Sequence, residues 1–366
     1  MTSLLAALGT VALLALIPAL SVLYREFLDR GGLRASILLT SAISLGCVAV
    51  WLLVGLFVPA VAMSALYFPV AALAGVGGFL ASLTVRDTTS HPLPALLFSL
   101  GWTVFVFTPV ALVVFFPTVV GIGATQGPLD LGGALPVHVA VGSSALVVLT
   151  FARRWAVADR SHVRPRSWTL YLSGIAIWVA WTVGYVALEL GLDPLVTPRI
   201  LVNCVVAPLL GVIGWLIGQR VTSATTSPIG VVAGLLSGSV AIAAGCAYFT
   251  PLWAGITGLA AGLFGAVFVG RRVLKTRRHA WFLVGTHLLS GGIGLFTIGF
   301  FGTGFGFIYD GQTTLIETQF VSIVLVAVWS MLVSLVLWLL VRQAALRSRA
   351  HAAELAPRHG RGSAAS

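Results

Sequence analysis

Apolar positions fall in long runs, separated by short stretches that hold nearly all of the Arg, Asp and Glu. A helix needs roughly 17–25 residues to cross a hydrocarbon layer of about 30 Å. Eleven runs meet that length, near 3–24, 35–58, 60–84, 92–116, 132–152, 167–188, 199–218, 228–248, 251–270, 280–302 and 318–341. The pattern predicts an all-α integral membrane protein of eleven transmembrane helices. Composition agrees with it. Only 8% of the 366 residues are charged and 58% are hydrophobic, with 41 glycines. A soluble domain carries about a quarter charged residues, and a fold of this size has too much surface to hide so many apolar side chains.

The net charge of +11 changes the picture only through its placement. No basic stripe with interleaved aromatics stands on a soluble element, so nucleic acid is not an expected partner. The cations instead gather in alternate loops. Arg25, Arg30 and Arg34, then Arg86, then Arg153 to Arg166, Arg220, Arg271 to Arg278 and the tail from Arg342 to Arg361 share one side, leaving Arg199 alone on the other. Lys and Arg accumulate in the cytoplasm, which puts the N-terminus outside and the C-terminus inside. The first run has no positive charge before Arg25 and reads as a span rather than a signal peptide. Residues 1–342 therefore form the membrane domain, and 343–366 a short basic cytoplasmic tail, a helix that frays into disorder.

Eleven spans allow a five-plus-five inverted repeat with one final helix outside it. Gly230, Gly234 and Gly238 lie four apart, as do Gly258 and Gly262, a spacing that lets membrane helices approach closely. Cys47, Cys204 and Cys246 each sit inside an apolar run and read as small buried hydrophobes.

Ionisable groups inside a membrane are costly, and so mark function by default. Of seven histidines only His138 and His287 fall inside spans, in the fifth and the tenth, the last helix of each half. Each lies roughly 9–12 Å in from its helix start at 1.5 Å per residue. Burial disfavours the imidazolium, so two neutral rings are expected, one donating and one accepting hydrogen bonds. Asp130 stands eight residues before His138, where a carboxylate caps a helix start or orients a cation at an outer mouth. Glu189, Asp193, Asp310 and Glu317 add negative charge on the same cation-poor side, a field that favours cations. There is no phosphate loop, carboxylate pair, metal-ligand cluster or nucleophile with its base. An enzyme, a metal site and a cofactor are not expected.

These residues call up a family. The run from Asp130 through Pro136 and His138 to Gly142 resembles the fifth-helix signature of the ammonium transporter (Amt/Rh) family, with the same Asp–His spacing. Pro18 to Tyr24 with Arg30 is similar to the first-helix motif, Trp102 and Pro109 to the fourth, Val202-Asn203 to the seventh, and Gly285 to Gly294 to the tenth. The resemblance implies an eleven-helix protomer in the plasma membrane, a homotrimer with one pore per subunit. It implies that ammonium binds outside by cation–π contact, loses a proton, and crosses as ammonia along a pore lined by His138 and His287. Asp130 becomes the structural acid. The gate aromatics fall on Phe68, or equally Tyr67, and on Tyr185, and Glu189 stands where the family usually has a serine at its outer site. The family's outer tryptophan falls near Thr118, with Phe115 or Phe116 as substitutes. The acid expected ahead of the second histidine is missing, with His279 and Phe282 in that neighbourhood. The tail lacks the pattern that couples members to PII signal proteins, which argues against that partner. The expected function is transmembrane transport of ammonium/ammonia. The alternatives are a pore for another small weak base or neutral gas, and an ammonium sensor without flux.

Overall fold

The computed structural model describes residues 1–28, 33–86, 88, 92–123, 127–152, 167–223, 226–276 and 279–355. Of the cations that mark one face in the sequence, Arg30, Arg153, Arg154, Arg160, Arg164, Arg166, Arg277, Arg278, Arg358 and Arg361 lie outside the described residues, as do tail residues 356–366.

The described chain is helical, with no strand among the described residues. In order the apolar helices are α1 (Thr2–Leu28), α2 (Leu33–Phe57), α3 (Tyr67–Arg86), α4 (Pro92–Phe115), α5 (Ala134–Phe151), α6 (Ser167–Leu188), α7 (Val196–Ser223), α8 (Pro228–Ala243), α9 (Pro251–Thr276), α10 (Ala280–Phe301) and α11 (Thr314–Leu355). Ten are long and apolar enough to cross a membrane, and α8, with 16 residues, is shorter.

Two expected spans differ in instructive ways. The third breaks after a short turn of helix at Pro59–Ala62 and restarts at Tyr67. Between them the Ser64 hydroxyl accepts from the Leu66 N–H at 3.2 Å, the local alternative that short polar side chains offer to a helix. The eighth, expected to reach 248, stops at Ala243 because its end is engaged sideways. The Ala243 and Ala244 carbonyls accept from the Gly132 and Leu131 N–H groups, and the Asn203 amide donates to the Cys246 and Phe249 carbonyls, both at 2.8 Å. Hydrophobic periodicity carries no signal for such long-range capture.

Glycine governs the tightest packing. Helix α7 runs between α8 and α9 with a Gly211 carbonyl so near Gly234 and Gly262 that neither could carry a Cβ, and Ala207 crowds Gly238 and Gly258 in the same way. Helix α3 is buried along nearly its whole length. Helix α11 is the opposite: Leu325, Leu332 and Leu340 are about 60% exposed, on an outward face that suits hydrocarbon.

Candidate functional site

His138 and His287 sit in matching local structures. Both α5 and α10 contain a π-helical turn, Ala134–Val139 and Val284–Leu289, and each turn carries its histidine. A π turn inserts one extra residue per turn and re-aims the side chains beyond it, a device concentrated at functional sites. A glycine follows each histidine by four residues and meets the other half. A Cβ on Gly142 would lie 2.5 Å from the Leu288 backbone nitrogen, and one on Gly291 would lie 3.2 Å from the His138 Cβ. Those approaches bring the two rings together.

The rings are stacked at 22° with centroids 5.0 Å apart, and the two Nδ1 atoms face each other at 3.0 Å. They are 1% and 0% exposed. At that separation one Nδ1 must carry a proton and the other must not. In a neutral pair the proton balance then fixes the far side of both rings. The ring that donates through Nδ1 keeps an acceptor Nε2, and the ring that accepts through Nδ1 keeps an Nε2–H donor. Both Nε2 atoms are buried without a hydrogen-bond partner among the described residues. Trp181 of α6 sets an edge-on ring against the pair, 5.2 Å from His138 and 6.5 Å from His287. The sequence reading missed Trp181, since one of eleven tryptophans inside an apolar run reads as core.

A second group gathers at the start of α5. Asp130 is 7% exposed, and its two carboxylate oxygens accept from the Ala134 and Leu135 N–H groups, each at 2.7 Å, capping the π turn. Burial pushes this carboxyl, which precedes the helix, up to about 6, against the opposing pull of the Leu135, Ala134 and Gly133 N–H groups. The Tyr185 ring packs on Gly132 and its hydroxyl donates to the Ser239 carbonyl at 3.3 Å, while the Phe115 ring lies against Gly133.

The remaining expected residues are elsewhere. Phe116 is buried against Trp51, 5.9 Å between centroids. Phe68 is 58% exposed beside Tyr67, whose hydroxyl donates to the Leu52 carbonyl at 2.6 Å. Glu189 holds the loop after α6, accepting from the Asp193 N–H at 2.8 Å and the Thr197 hydroxyl at 2.7 Å. Phe282 stands five residues before His287, edge-on to Tyr24, which also meets Phe79. No group of three or more His, Cys, Asp or Glu able to hold a metal occurs among the described residues.

The model of the Ammonium Transporter Family matches residues 88–354. An ammonium transporter of Mycobacterium bovis is 28% identical over 271 residues, covering 68% of this chain and 56% of that protein. One of Bacillus subtilis is 29% identical over 251 residues, covering 66% and 60%. The chain thus spans little more than half the length of these curated relatives. Among solved structures, Mep2 of Candida albicans superposes with a TM-score of 0.78 at 17% identity, over 94% of this chain and 85% of that one. A structure described as a sensor Amt protein gives 0.78 at 15% identity, over 94% and 93%. At such identities the likeness is one of fold.

Proposed function

We propose, for a chain that belongs to the Ammonium Transporter Family, that it moves ammonium/ammonia across the plasma membrane, with His138 and His287 lining the path. The observation that carries this reading is the Nδ1–Nδ1 contact of 3.0 Å with both Nε2 atoms unpartnered. It offers one donor and one acceptor in an apolar interior. Ammonia both donates and accepts, so it can use the two sites in turn. An ammonium ion cannot accept, and its charge pays no visit to an apolar channel without a compensating anion. Deprotonation therefore belongs outside the histidine pair, at the outer end where Asp130, Tyr185, Phe115 and Glu189 lie.

The same reading takes eleven membrane-spanning helices with α8 as the shortest, N-terminus outside and C-terminus inside. The cation asymmetry of the loops supports that orientation. Residues 1–342 are the transport domain and 343–366 the cytoplasmic tail. The matching π turns of α5 and α10 support a five-plus-five inverted repeat, and the family membership supports a homotrimer. Phe68, Tyr185, Phe115, Phe116 and Glu189 remain the candidate gate and outer-site residues. Of these, Tyr185 and Phe115 have the better support, because both pack on the glycines that follow Asp130.

The test is the transient current in proteoliposomes after an ammonium jump, for wild type, His138→Ala and His287→Ala. A wild-type current that saturates with ammonium and is lost or altered in both variants is the expected result. A silent wild type in vesicles holding folded protein overturns electrogenic transport. Labelled methylamine uptake then separates electroneutral passage from a sensor.

A further inference from the structure

Helix α11 lies outside the expected repeat, yet its inward stripe is polar where a lipid-facing strut needs no polarity. Gln319, Ser330 and Ser334 are fully buried and Trp338 is 3% exposed. Three of its side-chain hydrogen bonds end on the first half of the chain. Gln319 donates to the Leu129 carbonyl at 2.8 Å, Trp329 to the Phe105 carbonyl at 2.8 Å and Ser334 to the Ser144 hydroxyl at 2.7 Å. Against α10, by contrast, α11 offers Ile316 at Gly299 and Ile323 near Gly292.

We propose that α11 is a positioning element for His138, acting through Ser334 and Gln319. The proposal rests on the transport reading for its consequence but on hydrogen-bond geometry for its substance. Three π turns occur among the described residues, and a π turn weakens its own backbone ladder. Two are closed internally by a hydroxyl reaching back five residues: Thr108 to the Thr103 carbonyl at 2.8 Å, and Ser290 to the Gly285 carbonyl at 3.0 Å, the latter beside His287. The turn that carries His138 has no such closure, because Val139, Ala140 and Val141 occupy the register.

It is held from outside instead. Ahead of it, Gln319 fixes the carbonyl of Leu129, the residue before the capping Asp130. Behind it, Ser144 is a saturated node. Its hydroxyl donates to the Ala140 carbonyl at 2.7 Å and accepts from both the Trp102 indole at 2.9 Å and the Ser334 hydroxyl. One donor and two lone pairs are all a serine has. Ser144 lies six residues past His138, about 9 Å along the helix, so α11 grips the 129–144 segment at both ends with the histidine between. A transport site that tolerates little displacement makes that grip matter, since a misplacement of about 1 Å can cost two orders of magnitude in rate.

The test uses the full chain, reconstituted, as wild type, Ser334→Ala, Ser334→Thr, Gln319→Leu and Ile323→Ala, the last trimming the α11 side chain near Gly292 of α10. Two readouts are taken: the side-chain 15N resonances of His138 and His287, which report the shared Nδ1 proton, and the saturating ammonium current. Ser334→Ala is expected to shift the His138 resonances and lower the current roughly tenfold. Ser334→Thr restores both, and Ile323→Ala leaves the resonances in place. Should Ser334→Ala not fold, Gln319→Leu carries the test by freeing the other end of the segment. Unmoved resonances in the folded variants, or an equal shift in Ile323→Ala, overturn the proposal. A silent wild type whose resonances still move on Ser334→Ala supports the positioning role and overturns electrogenic transport instead.

Discussion

The two halves of the chain deliver the same ring to the same place by different means. His138 sits on a π turn capped by a carboxylate in front and tied to other helices behind. His287 sits on one that closes on itself, through Ser290 to Gly285 and Thr286 to Phe282, with an aromatic group of Phe282, Tyr24 and Phe79 where the first half has its acid. A backbone distortion thus needs partners for its freed polar groups, but the partners can be local hydroxyls or distant elements. The first solution couples the histidine to the rest of the protein. The second insulates it.

The two glycines that follow the histidines break the symmetry most severely. A methyl on Gly142 meets Leu288 backbone at 2.5 Å, and backbone has nowhere to go. On Gly291 it meets the His138 Cβ at 3.2 Å, a distance that a few tenths of an ångström of adjustment relieves. Gly142→Ala should therefore cost about 3 kcal/mol or more of stability and abolish transport, while Gly291→Ala costs about 1 kcal/mol. Thermal unfolding in detergent beside ammonium current checks both. Equal effects would mean that the halves are not packed with the stated asymmetry.

Next in size are the two closures. Asp130→Asn leaves one acceptor oxygen for two N–H donors and should cost about 1–2 kcal/mol, as loss of a good helix cap does. Ser290→Ala removes a bond within one helix and should cost less than about 1 kcal/mol. Asp130 adds a pH signature. Its carboxyl titrates at about 6 when folded and near 4 when unfolded. The folded state therefore binds the proton first, and stability from this group is gained as pH falls from about 6 towards 4, and lost again as pH rises. Unfolding temperatures measured across that window should show the slope in wild type and lack it in Asp130→Asn. An identical slope in both would assign it to another group.

The sequence made some of this arrangement legible and concealed the rest for physical reasons. His138, His287 and Asp130 stand out because polar groups are rare within or at the edge of apolar runs, and their spacing carries the family resemblance. The helices were largely legible, apart from the start of α3 and the end of α8, where a serine turn and distant N–H groups intervene, and the end of α11, which runs on to Leu355, past the expected 341. The π turns were not, because a hydrophobic run reads the same with or without an extra residue per turn. Trp181 and Ser144 were hidden too: a tryptophan or serine among leucines has no pattern until the helix beside it is known. Phe68 marks a different limit. Its ring is 58% exposed, so assigning it by helix position alone says little about what it lines.

The smallest effect concerns Glu189, and it separates charge from structure. Both of its oxygens hold the loop after α6, one accepting from the Asp193 N–H and the other from the Thr197 hydroxyl. Glutamine keeps an acceptor oxygen for the first, and the threonine hydroxyl can turn to accept from the amide in the second. Glu189→Gln thus preserves the cap and removes only the charge. An exposed or half-buried charge near an outer mouth steers a cation by a modest amount, so apparent ammonium affinity should weaken about two- to threefold, more at low salt than at high. The current's dependence on ammonium, taken at two ionic strengths, reads it directly. An affinity unchanged at both would leave Glu189 a loop cap, and the outer recognition of the cation would then rest on the group at the start of α5.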